Sequence, residues 1–444
     1  MTAGHGVTLA HGIGGAKDLP IPPDLAILGA VLALVVSFVV LAVAWRSPRY
    51  ADRPDRSRPV PRWLGLAVDS RAFRVSARLL GMLLFGFAAV AAIWGRDLLT
   101  NPFFGMVFVL WWVGLVPASL ALGPVWKAIS PVRTINATIA RLTGGDPAEG
   151  VLAYPARLGY WPAAIGLYAF VWLELVYPDA TELGPLRLWC ATYVAIMLLG
   201  GVLFGDRFYE RADPFEVYSS LVARLSVWGR REGRLVVRSP LANLATVPVG
   251  PGLVGVVGVL FGSTAFDSFS ASNSWVIYTQ TTDRSAALLD NTALLAFCAG
   301  VTAIFALAAA ATAVEPGTRR RDLPDLLAPS MVPIIVGYIV AHYLTYLVHS
   351  GQDTLILMSD PLGTGANLLG TGNLTTSYWL AYHPRLLATV KVLGVVVGHV
   401  LGVVAAHDRS VAVLPPRHRV VGQLPLLLAM VCFTVGGLYL LFAS

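Results

Sequence analysis

The sequence predicts an all-α protein, a polytopic transmembrane helical bundle of about ten spans with both termini outside. Three observations carry this. Of 444 residues, 56% are hydrophobic and only 13% charged, with a mean hydropathy of +0.69. Soluble domains hold about a quarter charged residues, so this much apolar surface points to a lipid solvent. The apolar residues fall in runs long enough to cross a hydrocarbon core as helices, and arginines collect in alternate gaps between the runs.

Ten segments meet the length for a span: Leu25–Trp45, Leu79–Trp94, Phe103–Leu122, Tyr160–Tyr177, Leu188–Gly205, Val247–Phe266, Leu288–Val314, Leu326–Val348, Leu387–Ala406 and Leu424–Phe442. The second is short and the sixth is rich in glycine. The links RSPRYADRPDRSRPVPRW, WKAISPVRTINATIARL, DRFYERADPFEVYSSLVARLSVWGRREGRLVVRS, EPGTRRRDLPD and HDRSVAVLPPRHRVV join odd to even spans and are dense in arginine, whereas the alternate links are poor in positive charge. Positive charge stays on the cytoplasmic side. This sets residues 1–23 outside as an N-terminal segment and makes 24–444 one integral membrane domain of a bacterial cell (inner) membrane.

Two cytoplasmic links, near 125–142 and 214–231, place apolar residues at helical spacing with arginines between them, which predicts helices lying in the interface. The outward link from Gly351 to Arg385 contains GTGANLLGTG, without the following lysine or preceding strand of a phosphate loop. The formal charge of +7 is spread through loops and does not form a basic patch interleaved with stacking aromatics, so membrane lipid is the expected partner and nucleic acid is not. Cys190, Cys298 and Cys432 lie inside apolar runs without metal-ligand spacing and read as small hydrophobes.

Chemistry is expected where polar side chains interrupt these runs, because such groups are costly in hydrocarbon. His342 and His349 stand seven residues apart in MVPIIVGYIVAHYLTYLVHS, close to two helical turns and therefore on one face. His399 and His407 sit in VLGVVVGHVLGVVAAH, with Lys391 before them. His407, followed by Asp408 and Arg409, reads as a headgroup-zone residue. Glu174 interrupts AFVWLELVYP, Asp267 follows the sixth span in LFGSTAFDSFS, and Asp290 opens the seventh. Glu174 could pair with Lys391, and the two aspartates could be helix ends in the interface.

Imidazoles with carboxylates are ligands for zinc, copper or iron. One expectation is therefore a metal-dependent hydrolase whose outward-facing site draws on His342, His349, His399 and Asp267 as ligands. Asp267 and Glu174 would be its catalytic carboxylates, and a metal-bound hydroxide would attack an apolar ester. The alternative from another class is a transporter or ion-translocating protein that uses the same groups as a relay, with Pro248, Gly250 and Gly252 breaking the sixth helix. A third is a structural subunit of a membrane complex. A relay needs polar groups spread from face to face, and an enzyme needs them gathered.

The stretches HGIGGAKDLPIP, ARLGYWPAA, GSTAFDSFS, AHYLTYLVHSGQ, SDPLGTGANLLGT, GHVLGVVAAHDR and GQLPLL resemble polytopic bacterial proteins, common in actinobacteria, known as fenitrothion hydrolase or fenitrothion hydrolase-like. The resemblance runs from about His11 to the C-terminus. It implies a membrane-bound enzyme that hydrolyses organophosphorus esters, with a second membrane subunit as a candidate partner, and it brings no residue roles to these positions. LAHGIGG before the first span resembles the end of a secretory leader cleaved before His11, but the ten residues preceding it lack a basic start and an apolar core. An outer tail is the expected reading.

Overall fold

The structure, a computed structural model, describes residue 19 and residues 21–50, 57–312, 319–414 and 421–443. LAHGIGG and His11 lie outside the described residues. In chain order the helices begin with α1 (Pro23–Ala44), α2 (Arg62–Asp69), α3 (Arg71–Trp94), α4 (Pro102–Val113), α5 (Leu115–Leu122), α6 (Val125–Ile129) and α7 (Pro131–Leu142). They continue with α8 (Trp161–Leu175), α9 (Leu183–Phe204), α10 (Asp206–Ala212), α11 (Pro214–Ala223), α12 (Pro240–Ala245), α13 (Leu253–Ser270) and α14 (Asn273–Thr281). The last are α15 (Ala286–Ala310), α16 (Leu323–Leu327), α17 (Val332–Leu357), α18 (Pro384–Val413) and α19 (Leu424–Ala443). Three short strands, β1 (Arg58–Pro59), β2 (Trp228–Arg231) and β3 (Arg234–Val237), form a small antiparallel sheet.

The protein is an all-α polytopic membrane bundle. Among the described residues, eight helices are long and apolar enough to cross a membrane, and α4 with α5, bent by 43°, makes a ninth. The bend has a local cause: residues Met106–Val113 wind as a π-helix immediately before Gly114. The remaining expected span, the fourth, Tyr160–Tyr177, is the 15-residue helix α8. At 1.5 Å per residue it is about 22 Å long, short of a roughly 30 Å hydrocarbon core.

Where one domain is expected over 24–444, the chain divides into two compact units. One comprises Met1–Pro54, Leu244–His349 and Ser377–Ser444, and the other Asp55–Asn243 and Ser350–Thr376. Each is assembled from pieces distant in sequence, so no linker or change of composition marks the division.

In the first unit, α13 is buried along nearly its whole length. It packs on α15 through a small-residue pair four apart, Gly258 against Thr302 and Gly262 against the Cys298 backbone. Apolar side chains gain little by leaving lipid for protein, so close backbone approach at small residues is what holds such helices together. Pro248, Gly250 and Gly252 precede α13 and do not break it. Gly252 takes a left-handed φ of 85° before the first turn, and Asp325 Oδ1 accepts from the Val254 amide at 2.9 Å, satisfying a helix-end donor.

Helices α17 and α18 meet antiparallel through Gly337, Gly394, Gly398 and Gly402. A methyl on Gly337 would strike the Gly394 carbonyl oxygen and lie 3.1 Å from Gly398 Cα. Gly337→Ala is therefore expected to cost about 1–3 kcal/mol and to lower the melting temperature of detergent-purified protein, whereas alanine at Gly436, which has open space around it, should not.

The second unit corrects two expectations. The helix expected near 125–142 is two helices, α6 and α7, separated where Ser130 caps α7 and Pro131 occupies its first turn. The helix expected near 214–231 is shorter, ending at Ala223. Helix α11 is buried on all sides except at Ser220, and the chain then turns into strand β2. Apolar spacing suggested one exposed face, but the charges on α11 are buried with partners. Asp213 accepts from Tyr193 Oη (3.0 Å), Trp126 Nε1 (3.2 Å) and the Phe215 and Glu216 amides. The β2–β3 hairpin turns through Glu232 and Gly233, both with positive φ (50° and 79°), the conformation of a tight two-residue turn.

Burial, reinforced by the neighbouring Glu216 charge, pushes the Asp213 carboxyl up to about 7. An acid whose folded pKa is raised binds its proton more tightly when folded, so its stabilising contribution is present below the unfolded pKa and is lost as pH rises toward 7. Thermal melts should therefore fall between about pH 4 and pH 7 more steeply for the wild type than for Asp213→Asn, which keeps a cap but cannot ionise. Equal slopes would contradict this environment for Asp213.

In the link between α17 and α18, Asp360 accepts from the Thr364 and Gly365 amides, and Ser359 and Asn367 bond across the next turn. GTGANLLGTG is thus folded by its own side chains, with Gly363, Gly365 and Gly370 at positive φ.

Candidate functional site

The site lies in the first unit, where the last turn of α13 meets the middle of α17. Asp267 falls inside α13 and does not follow it, because the helix runs on to Ser270. It is 8% exposed, not a surface helix end. His342 on α17 is 2% exposed. The His342 Nε2 and Asp267 Oδ2 atoms are 2.9 Å apart, and Tyr343 Oη donates to the same carboxylate oxygen at 2.7 Å. On the other side of the ring, His342 Nδ1 lies 3.1 Å from Ser268 Oγ, which accepts from Tyr338 Oη at 2.9 Å.

Donor and acceptor chemistry assigns the protons. A carboxylate only accepts, so His342 Nε2 carries hydrogen and donates to Asp267. In the neutral ring Nδ1 is bare and accepts the Ser268 hydroxyl hydrogen. A second acceptor for that hydrogen is in place, since Ser268 Oγ also lies 3.2 Å from the Thr264 carbonyl. When His342 holds two protons, Nδ1–H donates to Ser268 Oγ and Ser268 turns its hydrogen to Thr264. Either state keeps every link of the chain Tyr338–Ser268–His342–Asp267–Tyr343 hydrogen-bonded without displacement of heavy atoms. A buried charged imidazole is tolerable here because its carboxylate is in direct contact.

The other expected ligands are not gathered on this pair. His349 is buried two turns further along α17, its ring 5.1 Å from that of Tyr378. His399 on α18 is fully buried; its Nδ1–H donates to the Val395 carbonyl at 2.9 Å, and its Nε2 has no hydrogen-bond partner among the described residues. Glu174 belongs to the other unit. Asp290 accepts from Trp275 Nε1 at 2.9 Å. Among the described residues no three His, Cys, Asp or Glu side chains come together as a metal-holding group. His342, His349, His399 and Asp267 therefore do not form a ligand shell.

His407 is held by protein partners on both ring nitrogens. It is buried, with Nε2–H donating to the Trp45 carbonyl at 3.0 Å and Nδ1 3.0 Å from Gln423 Oε1. Asp408 beside it accepts from Trp45 Nε1 and the Arg49 amide. The pair fastens α1 to α18.

Sequence reasoning missed Ser268, Tyr338 and Tyr343. The signal was present: Tyr338 and His342 are one turn apart, and Ser268 adjoins Asp267 in an otherwise apolar run. Comparison with protein-family models, curated proteins and solved structures finds no match.

Proposed function

We propose that this chain is a proton-translocating protein of a bacterial cell membrane, with Asp267 and His342 as the pair that binds the moving proton. The observation that carries this reading is a buried imidazole bonded through both ring nitrogens, to a carboxylate on one side and a reorientable hydroxyl on the other. Such a ring accepts and releases a proton while its surroundings stay packed.

The spread of the remaining polar groups supports it. On α18, Lys391, His399 and His407 are all buried and recur every eight residues, so successive members are about 12 Å apart and the series covers about 24 Å of a roughly 30 Å core. The glycine contacts that register Gly337 beside Gly394 and Gly398 bring Lys391 to nearly the level of His342. His399, with its bare Nε2, lies about two turns further on. Such a spread along one apolar helix is what a relay requires. The arginine pattern orients the Asp267 end toward the outside.

A hydrolase is the second reading, favoured by one observation: Ser268, His342 and Asp267 are linked in series, as a nucleophile, base and orienting acid would be. Ser268 is fully buried with its oxygen engaged by Tyr338, which places this reading second.

The test is proton flux into sealed proteoliposomes holding a pH-sensitive dye, driven by a potassium diffusion potential. Flux above that of protein-free vesicles is expected. No flux, together with release of nitrophenol from a nitrophenyl organophosphate by the same preparation, would reject the relay and support the hydrolase.

A further inference from the structure

We infer that the second unit carries a docking surface for anionic phospholipid headgroups, built from α2, the start of α3 and the three-stranded sheet. Residues 57–78 and 228–238 hold nine arginines against Asp69 and Glu232, so these two stretches carry a charge excess equal to the +7 of the whole chain. The fold gathers them. Arg58 on β1 pairs with Val237 on β3, β3 pairs with β2, and Arg230 Nη2 reaches Asp69 Oδ1 at the end of α2 at 2.6 Å. Arg74 Nη1 donates to the Asp69 carbonyl at 2.9 Å.

Apolar side chains stand within the same patch. No residue of α2 is buried, and Trp63 and Leu66 are 70% and 63% exposed. Helix α3, a span by length and composition, begins at Arg71, directly after the cap residue Ser70. That continuity holds α2 at the depth where a span enters the headgroups. A short helix presenting tryptophan and leucine, surrounded by arginines, fits that layer: the aromatic and aliphatic groups enter the acyl boundary and the guanidiniums meet phosphates. A soluble polyanion would satisfy the arginines but leave Trp63 and Leu66 in water. The occupant is therefore lipid, and this inference is independent of the proton relay.

The test measures binding of phosphatidylglycerol and of phosphatidylcholine to the full-length detergent-purified protein by native mass spectrometry. The wild type is expected to prefer phosphatidylglycerol by about tenfold or more, and the exposed triple variant Arg58→Gln/Arg62→Gln/Arg234→Gln to lose that preference. Equal binding of the two lipids by the wild type, or a preference undiminished in the triple variant, overturns the proposal. So does a preference abolished by soluble polyphosphate alone but unaffected by Trp63→Ala. Should the triple variant not fold, quenching by brominated phosphatidylglycerol decides, read as the wild-type signal minus that of Trp63→Phe. Quenching of Trp63 supports the surface, and its absence overturns it.

Discussion

Asp267→Asn is expected to reduce proton flux in proteoliposomes by at least tenfold while leaving the protein folded. The substitution keeps the size of the side chain and an oxygen for the His342 Nε2–H and Tyr343 hydroxyl bonds, 2.9 and 2.7 Å in the wild type. What it removes is the negative charge that makes a doubly protonated imidazole tolerable in a buried position. A hydrogen bond to a charged partner is worth about 1.5–3 kcal/mol, or roughly one to two powers of ten in an equilibrium constant. His342→Gln should show the same loss. Ser268→Ala should show a smaller one, because it removes the hydroxyl that serves both states of the ring but keeps the carboxylate. Full flux in Asp267→Asn would remove this pair from the path.

The largest effect on stability is expected from Arg133→Ala. Arg133 holds Glu216 with two bonds, Nε to Oε2 at 2.5 Å and Nη2 to Oε1 at 2.7 Å, and reaches Asp206 Oδ1 at 2.6 Å. Its guanidinium also sits 4.8 Å above the Tyr209 ring. Burial alone would lower its pKa, but the Glu216 bond and charge and the Asp206 charge more than offset this and raise it. Glu216 is 1% exposed, with Asp213 close by. Removing Arg133 leaves a buried carboxylate uncompensated, which typically costs about 3–5 kcal/mol. The Asp206 arm contributes less because that carboxylate is half exposed. Melting of detergent-purified protein checks this, and adding Glu216→Gln to Arg133→Ala should recover much of the loss. If the single variant melts like the wild type, the ion pair is not holding α7 to α11.

What the sequence made legible follows from the physics of each element. Helices α1 and α19 are read directly, because a long uninterrupted apolar run has one stable solution in lipid. Helix α8 was legible as apolar, but its length was overestimated by counting Tyr177, which lies beyond the last turn. The buried helix α11 and the β2–β3 hairpin were not legible as such. Whether an apolar face meets lipid or protein depends on neighbours from elsewhere in the chain, and three arginines obscured the alternation of the strands. The division into two units is a property of contacts between distant pieces and leaves no local mark.

The same distinction applies to the site. His342 and Asp267 stood out because each is costly where it lies, and cost is a property of one residue in its own run. Their partnership, and the parts of Ser268, Tyr338 and Tyr343, depend on which turn of α13 faces which turn of α17. Glycine packing decides that, and single-residue reasoning does not reach it. His349 and His399 carried the same cost signal, yet they lie elsewhere along α17 and α18 and not around a common centre.

The most direct measurement of the central claim is the proton content of the His342 ring itself. Histidine-labelled protein in bilayers gives nitrogen-15 spectra in which singly and doubly protonated rings are distinct, and the His342 signal is the one lost in His342→Gln. In the wild type the His342 ring is predicted to be found with one and with two protonated nitrogens, and the doubly protonated form is predicted to be suppressed in Asp267→Asn. A His342 ring that keeps one protonation state throughout, in a protein whose flux survives His342→Gln, would contradict the account.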